Sequence, residues 1–507
     1  MSNVALIEVG CTRPELNEPI GICTIASYLA QENGLIKEQV RLFWQQLQHR
    51  RADVDGLSDV HLIGISAQIN SLQETLALYA GLRSRYPGVP IVIGNLLAIY
   101  AGDELLSLLP DAILCVGEGE MPFSEIFRKI AAGNDLVGDR AYLQGIPGLM
   151  YSDGKQVLKS QPVLTDLSKS PTPRRDFTAD LVRIGGITRI EGSRGCHWGR
   201  CEFCSVASRF GLGGYRRFRS DRLVADLEEL ARLGARSPYF SDEDFFGRRY
   251  SESRQVADLI IEAKKNGRIP SDMNFFVSVL SSDVKHPEGQ AALEHWKKAG
   301  LREVFVGIEA GADPEIKRFA KKANSDTNTT ALNRLIQLGF QVDIGFIMFD
   351  PMMTLDDLEQ NISWLRRQPL SDIDARVTKR LRIQPRTGLE EKYRALVVGP
   401  LDVDELTFPT VFEDQHVANI ERLFRSWEDR FKRDVYTMLG SARGETGSER
   451  RRLDLKRRLA KIRDVDVDYL SQLVRYERGE LAEEDLNELG DRLHAAKATL
   501  IVRDEAV

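Results

Sequence analysis

Long apolar runs are missing from these 507 residues. No stretch approaches the roughly 20 apolar residues that crossing a bilayer requires, and the N-terminus has no basic-then-apolar leader, so no membrane association and a cytoplasmic location are expected. Cysteine is scarce as well. There are six, and half of them crowd a single loop, which fits a reducing compartment rather than a disulfide scaffold. A surplus of positive charge is also lacking: 69 Lys and Arg against 75 Asp and Glu leave a formal charge of −6, which argues against dedicated nucleic-acid binding. Neither an internal repeat nor a low-complexity tract is apparent. What remains is a chain with 42% hydrophobic and 28% charged residues, ample for packed cores. At about 150 residues per domain, its length suggests three or so domains.

The three crowded cysteines are Cys196, Cys201 and Cys204, in IEGSRGCHWGRCEFCSV. A four-iron cubane needs four ligands, so a cluster held by three thiolates keeps one iron open for chemistry. Arg194, Gly195, Gly199 and Arg200 suit a tight loop around an anionic cluster: glycine permits close backbone approach and arginine offsets charge. Trp198 and Phe203 could shield it from water. Zinc stays open on this spacing, because a CxxC pair with a third cysteine and His197 could form a structural tetrahedral site. The remaining thiols, Cys11, Cys23 and Cys115, lie in apolar strand or helix patterns and read as core.

Downstream, strand-like and helix-like runs alternate. SDRLVADLEELARLG places Leu223, Leu227, Leu230 and Leu233 on one helical face, with Ser220 as its cap and Gly234 as its stop. SPYFSDEDFFG, NFFVSVLSSD, REVFVGIEAG, QVDIGFIMFDP and ARVTKRLRIQP read as strands, separated by helical runs. Such βα alternation, with polar strand ends, argues for a partial (β/α) TIM-type barrel whose reactive groups gather at the strand C-termini. Those ends carry Ser241, Asp242, Glu243 and Asp244, then Gly307, Ile308 and Glu309, then Gly345, Phe346 and Asp350. Asp350 also reads as a turn residue before Pro351.

The cysteine loop together with these strand ends resembles the radical S-adenosylmethionine (SAM) enzymes, in the branch with an N-terminal cobalamin-binding-like domain. The loop departs from the usual CxxxCxxC by one residue, reading CxxxxCxxC, while Phe203-Cys204 keeps the aromatic-Cys ending. The resemblance implies a 4Fe-4S cluster on Cys196, Cys201 and Cys204, with SAM on its open iron. It places Asp242 and Glu243, with Ser241 beside them, near the methionine ammonium, Glu309 near the ribose hydroxyls, and Gly345 in the same cofactor site. Carboxylates suit ammonium and hydroxyl donors.

Ahead of the barrel, NVALIEVG, HLIGISAQIN, PIVIGNLL and AILCVGEGE are short β-rich runs with helical stretches between them. They read as a Rossmann-like doubly wound α/β domain with ligands at its strand ends. EPIGICTIASYLA, IGISAQINS and VGEGE resemble the cobalamin-binding domain of the same branch. That makes Gly64, Ser66, Gly94, Gly117 and Glu118 the candidates for cobalamin contact. The loop after the first strand, EVGCTRPELNEP, lacks the DxHxxG histidine that ligates cobalt in many such folds. Cobalamin is therefore either bound without a protein ligand or not bound. His49 and His61 read as structural.

The expected layout is a cobalamin-binding-like domain over 1–150, a linker over 151–184, the barrel over 185–390 and a mostly helical domain over 391–507, whose Trp427, Phe431, Tyr436 and Tyr469 could pack over the barrel mouth. SERRRLDLKRRLAKIR reads as an amphipathic helix with a solvated basic face, against a docking surface for an acidic electron donor such as flavodoxin or ferredoxin. The function expected is reductive cleavage of SAM, with cobalamin-dependent methyl transfer to an unactivated carbon of a small metabolite or peptide. Radical rearrangement, cyclisation or oxidation without cobalamin is the alternative on the same scaffold. A non-catalytic zinc-stabilised binding protein is the alternative of a different class.

Overall fold

The computed structural model describes the chain except residues 1–2, 13–14, 49–56, 58, 212–213, 370–375, 445–447 and 503–507. His49 lies outside the described residues. The N-terminal unit is a seven-stranded sheet of β1 (Asn3–Glu8), β2 (Val40–Trp44), β3 (Val60–Ser66), β4 (Ile91–Gly94), β5 (Ile113–Cys115), β6 (Leu149–Ser152) and β7 (Val157–Lys159), in the order 2-1-3-4-5-6-7. The first five strands are parallel and the last two antiparallel. Their near-continuous apolar runs follow from burial on both faces. Ala5, Ile7, Ile63 and Ile65 enter one core with the helix Leu72–Arg85. Val4, Leu6 and Leu62 enter the other, with Ile20–Asn33 and Glu120–Ala131. The chain leaves β1 for β2 on one side and returns to β3 on the other, which opens a crevice at the strand C-termini. Because β6 and β7 belong to this sheet, the first unit runs on to Lys159 and takes in the start of the expected linker.

The central unit contains β8 (Arg189–Ile190), a small antiparallel ribbon of β9 (Ser193–Arg194) and β10 (Arg216–Arg217), then β11 (Tyr239–Phe240), β12 (Phe275–Leu280), β13 (Leu301–Glu309), β14 (Gln341–Phe349) and β15 (Lys379–Arg380). Six of these form one parallel sheet in the order 15-14-13-12-11-8, a partial barrel open between β15 and β8. The helix Ser220–Arg232 buries Leu223, Leu227 and Leu230 against it. It begins at Ser220 itself: the cap position is Arg219, whose side chain makes no capping bond, so Ser220 is not the cap its sequence suggests. Gly234, at φ +97°, ends the helix as expected.

The C-terminal helices do not lie over the barrel mouth. Phe424, on Gln415–Asp429, packs 5.9 Å from Phe349 at the end of β14, and Glu421 of the same helix faces Arg380 of the edge strand β15 at 3.5 Å. Arg443 pairs with Asp343, and Lys456 with Glu303 and Gln341, all at the N-terminal starts of β13 and β14. Trp427 stacks on Tyr469 at 4.2 Å within the helical core. The physical reason is that Trp427 and Tyr469 share the inward faces of their own helices, Phe431 lies 4.9 Å from the His494 ring, and the Tyr436 hydroxyl accepts from Lys379 of β15 at 2.8 Å. Leu455, Leu459 and Ile462 are likewise buried, so the basic stretch is the solvated back of an amphipathic helix.

The mouth is instead crossed by the segment 381–414. Leu389 and Tyr393 pack with Phe203 and Phe319 beside the cysteine loop. Farther on, Asp404 accepts from the Leu72 amide at 2.8 Å, and Leu406 enters the core of the N-terminal unit. One stretch without helical or strand periodicity therefore clasps both units.

Candidate functional site

β8 delivers the chain to the cysteine loop, and the turn begins at Gly195. Its φ is +86°, and a Cβ there would stand 2.4 Å from the Gly214 carbonyl oxygen, so no other residue fits without moving backbone. The loop is tied down on every side. Gly195 N donates to Glu243 Oε2 at 3.1 Å, and His197 N to Asp244 Oδ2 at 3.0 Å. Glu202 N donates to the Phe319 carbonyl at 3.0 Å, and Trp198 Nε1 to that of Ala320 at 3.1 Å. The three thiols are half-buried; burial, helped by nearby carboxylates such as Asp244 and Glu309, pushes Cys196 and Cys201 up to about 12 and raises Cys204. As free thiols they stay protonated; as ligands they need a cationic centre.

Sulfur spacing separates the two metal readings. Among the described residues, the group whose ligand atoms all lie within 4.8 Å of one another is Cys196, His197 and Asp244, not the three cysteines. Thiolates on one zinc, at about 2.3 Å each, lie at most roughly 4.6 Å apart. The cysteines are thus spread for a bulkier centre, and His197 is drawn to Asp244, with its Nδ1 at 2.6 Å from Oδ2. The Cys3His set is not assembled, and the spread of the three sulfurs leaves room for a larger centre than one zinc.

The strand-end residues divide into two groups. Asp242 is buried and turned away from the loop opening, with Gly192 N at 2.8 Å and Ser193 Oγ at 2.7 Å. Burial raises its carboxyl to about 7. Ser241 likewise spends its hydroxyl on the Ile190 carbonyl, at 3.2 Å. Glu243, by contrast, meets the loop and receives Arg209 Nη2 at 2.7 Å.

Glu309 is re-aimed by a bulge: the β13–β14 register shifts between Gly307 and Glu309, and Glu309 itself sits at φ +69°. Its carboxylate meets Lys321 Nζ at 3.1 Å and lies against Gly345, where a Cβ would be 3.3 Å from Oε2. Lys321 also donates to the Gly307 carbonyl at 2.8 Å. Although burial opposes it, Glu309 holds this ammonium above its ordinary range, with Cys201 and Cys204 adding to the effect. Asp350 is fully buried between Arg318 and the Tyr393 hydroxyl, at 2.8 and 2.6 Å, and serves as a structural hub.

A second feature faces this loop from the N-terminal unit. A cavity of about 230 Å³, open to solvent, lies over the ends of β3, β4 and β5. Gly64, Ser66, Gly94, Gly117 and Glu118 all line it, and Glu191, Arg194, Arg209 and Phe210 close it from the barrel side. Arg209 belongs to both places, lining the cavity while binding Glu243. A Cβ on Gly64 would meet the Phe123 ring at 2.6 Å, so glycine keeps this part of the cavity floor flat. Glu118 is committed to the protein: although burial opposes it, Arg194 at 3.1 Å and Arg216 at 2.6 Å hold its carboxyl below its ordinary range. Among the described lining residues there is no histidine. His61 is exposed and accepts from Asn3 N at 3.1 Å. Cys23 and Cys115 are core as expected, while Cys11 is half-buried.

Residues 190–365 match the radical SAM superfamily model. This chain carries a radical SAM domain. Among curated relatives, 4′-phospho-dehydrooxetanocin synthase of Priestia megaterium is 26% identical over 382 residues, covering 70% of this chain and 49% of its own length. Hopanoid C-3 methylase of Methylococcus capsulatus is 24% identical over 365 residues, covering 69% and 65%. The chain thus spans between about half and two thirds of these relatives. Among solved structures, the cobalamin-dependent SAM radical enzyme OxsB with aqua-cobalamin bound superposes with a TM-score of 0.82 at 20% identity, covering 98% of this chain and 76% of that one. The radical SAM methyltransferase TsrM from Kitasatospora setae, with cobalamin and a [4Fe-4S] cluster bound, gives 0.63 at 16% identity, covering 79% and 77%. The radical SAM domain therefore sits in a chain whose whole fold, Rossmann-like unit included, has solved counterparts.

Sequence reasoning missed Lys321, Arg209 and the His197–Asp244 pair. Lys321 and Arg209 stand in charged or apolar runs with no spacing signal, and only the folded loop brings them to the cysteines. Among the described residues, no helix is long and apolar enough to cross a membrane.

Proposed function

We propose that this protein cleaves SAM reductively at a 4Fe-4S cluster held by Cys196, Cys201 and Cys204, and that the cavity over β3–β5 binds cobalamin for methyl transfer to an unactivated carbon of a small molecule. The observation that carries it is the juxtaposition of the two sites: Arg209 lines the cavity and binds Glu243, which in turn holds the cysteine loop. Bound on Cys196, Cys201 and Cys204, such a cluster would supply the single electron that cleaves SAM at its sulfonium.

The chain's own residues do the positioning. Glu309, aimed into the lumen by the bulge, would accept from the ribose hydroxyls beside Gly345. Glu243 would face the ammonium. Asp242 and Ser241 act one step behind, fixing the strand end that carries Glu243. Segment 381–414 limits water at the mouth. In the cavity, Gly64 and Gly94 would let a flat macrocycle approach the strand ends. Among the described lining residues no histidine is placed to ligate cobalt, so cobalamin would bind without an imidazole from them.

Methyl transfer is supported by the likeness to the hopanoid methylase and TsrM. A second reading, radical rearrangement or oxidation, is supported by the first relative being named a synthase and by the missing histidine. Anaerobic purification with iron, sulfide, zinc and cobalt analysis, followed by SAM and dithionite, tests the proposal. The expected outcome is a brown protein forming 5′-deoxyadenosine, with activity abolished in Cys201→Ala. A colourless, zinc-only protein would end the reading. Methyl-labelled SAM separates the two chemistries by whether label reaches a product other than methionine.

A further inference from the structure

The turn behind the cysteine loop, 317–322, faces two ways. Inward it sends Lys321 to Glu309, and its Phe319 and Ala320 carbonyls receive Glu202 N and Trp198 Nε1. Outward it presents Lys317 and Lys322, both exposed. The Lys322 ammonium lies 5.3 Å from the centre of the Trp198 ring, and the exposed Arg200 lies 5.5 Å from the same ring. Lys392 joins from the 381–414 segment, donating to the Arg318 carbonyl at 3.3 Å. Trp198 stands between Cys196 and Cys201 in the chain, with its indole nitrogen held by the Ala320 carbonyl at 3.1 Å.

Two other sides of the loop are covered, and a third faces the cavity over β3–β5. The N-terminal unit covers the Arg194 side through Glu118 and Glu120, and Phe203 is packed under Phe319 and Leu389. With Arg200 and Lys322 exposed beside it, the Trp198 face is where the loop meets solvent away from that cavity, and its four cations outnumber the half-exposed Glu202, 3.8 Å from Lys392, in a chain whose net charge is −6. Local charge opposite to the global charge marks a surface that selects and orients an oppositely charged partner.

We infer that the face formed by Lys317, Lys322, Arg200 and Trp198 docks an acidic one-electron carrier of the flavodoxin type. This rests on the cluster reading above. The carrier loses one electron and the cluster gains it, with no bond made or broken at the surface. The basic helix Glu449–Glu477 is a poorer place, because it packs on the barrel floor, at the opposite end of the strands.

The test uses the reconstituted full chain and reduced flavodoxin, following loss of the iron-sulfur absorbance before SAM is added. In Lys317→Glu/Lys322→Glu, bleaching by flavodoxin should slow at least tenfold, while bleaching by dithionite stays within twofold of the unaltered protein. Added salt should slow the flavodoxin reaction of the unaltered protein and leave that of the variant unchanged. Lys317→Gln/Lys322→Gln, a milder change, should fall between the two. Equal flavodoxin rates in all three proteins would overturn the docking face alone. An unaltered protein with no absorbance that dithionite can bleach would overturn the cluster reading and this inference with it.

Discussion

Asp242 shows how one side chain can be chemically apt and differently employed. It stands beside Glu243 at a strand end, where two adjacent acids read alike in sequence, but successive residues point in different directions. Glu243 reaches the loop while Asp242 is buried against Gly192 and Ser193. Burial lifts its carboxyl from an ordinary 3.8 to about 7. The folded state therefore holds this proton more tightly than the unfolded chain, and the associated stability is fully present below about pH 4 and lost as pH rises through 7. The slope from one such group is at most about 1.4 kcal/mol per pH unit. Denaturant unfolding between pH 5 and 8 should show this decline, and Asp242→Asn should flatten it. An unchanged slope in the variant would assign the decline elsewhere. Lys321 makes the complementary case. Lys321→Met leaves the Glu309 carboxylate without its cation, and SAM affinity, read by equilibrium dialysis, should fall about tenfold or more, whereas Lys321→Arg should keep most of it.

At the scale of elements, regular segments were legible and irregular ones were not, for a physical reason. The parallel strands announce themselves as apolar runs because both of their faces are covered, and Ser220–Arg232 does so by the 3.6-residue spacing of Leu223, Leu227 and Leu230. The bulge before Glu309 and the course of 381–414 depend on contacts far away in sequence, such as Asp404 with Leu72, so no local pattern reports them. The aromatics of the C-terminal helices misled for the same reason: periodicity shows that Trp427 has an inward face but not which end of the barrel that face meets. The cysteine loop is the intermediate case, since its three thiols stand out in the sequence while the contacts that support the loop do not. Gly195 carries most of that support. Gly195→Ala meets both a left-handed φ of +86° and a backbone oxygen 2.4 Å away. Iron incorporation should be lost while far-UV circular dichroism remains that of the unaltered protein. Full iron content in this variant would show that the loop can close by another route.

For the molecule as a whole, the question is what keeps the cavity and the cysteine loop facing each other. The side chain of Arg175, in the connecting segment, is 2% exposed and forks onto Asp226 at 2.9 and 2.7 Å, while reaching Glu18 at 2.7 Å. Asp226 belongs to the barrel helix Ser220–Arg232, and Glu18 to the loop leaving β1, so one guanidinium joins three parts of the chain. Removing it leaves two buried carboxylates without a cation, a change that typically costs about 3–5 kcal/mol. Arg175→Met should therefore lower stability by about that amount and split urea unfolding into two transitions, as the N-terminal unit releases from the barrel. Arg175→Lys keeps the charge but loses the bidentate fork, and should fall between. The decisive comparison is the triple variant Glu18→Gln/Arg175→Met/Asp226→Asn. If unpaired charge is the cause, neutralising both acids restores most of the loss and a single transition; if the guanidinium matters mainly as a packed spacer, the triple variant stays as weak as Arg175→Met.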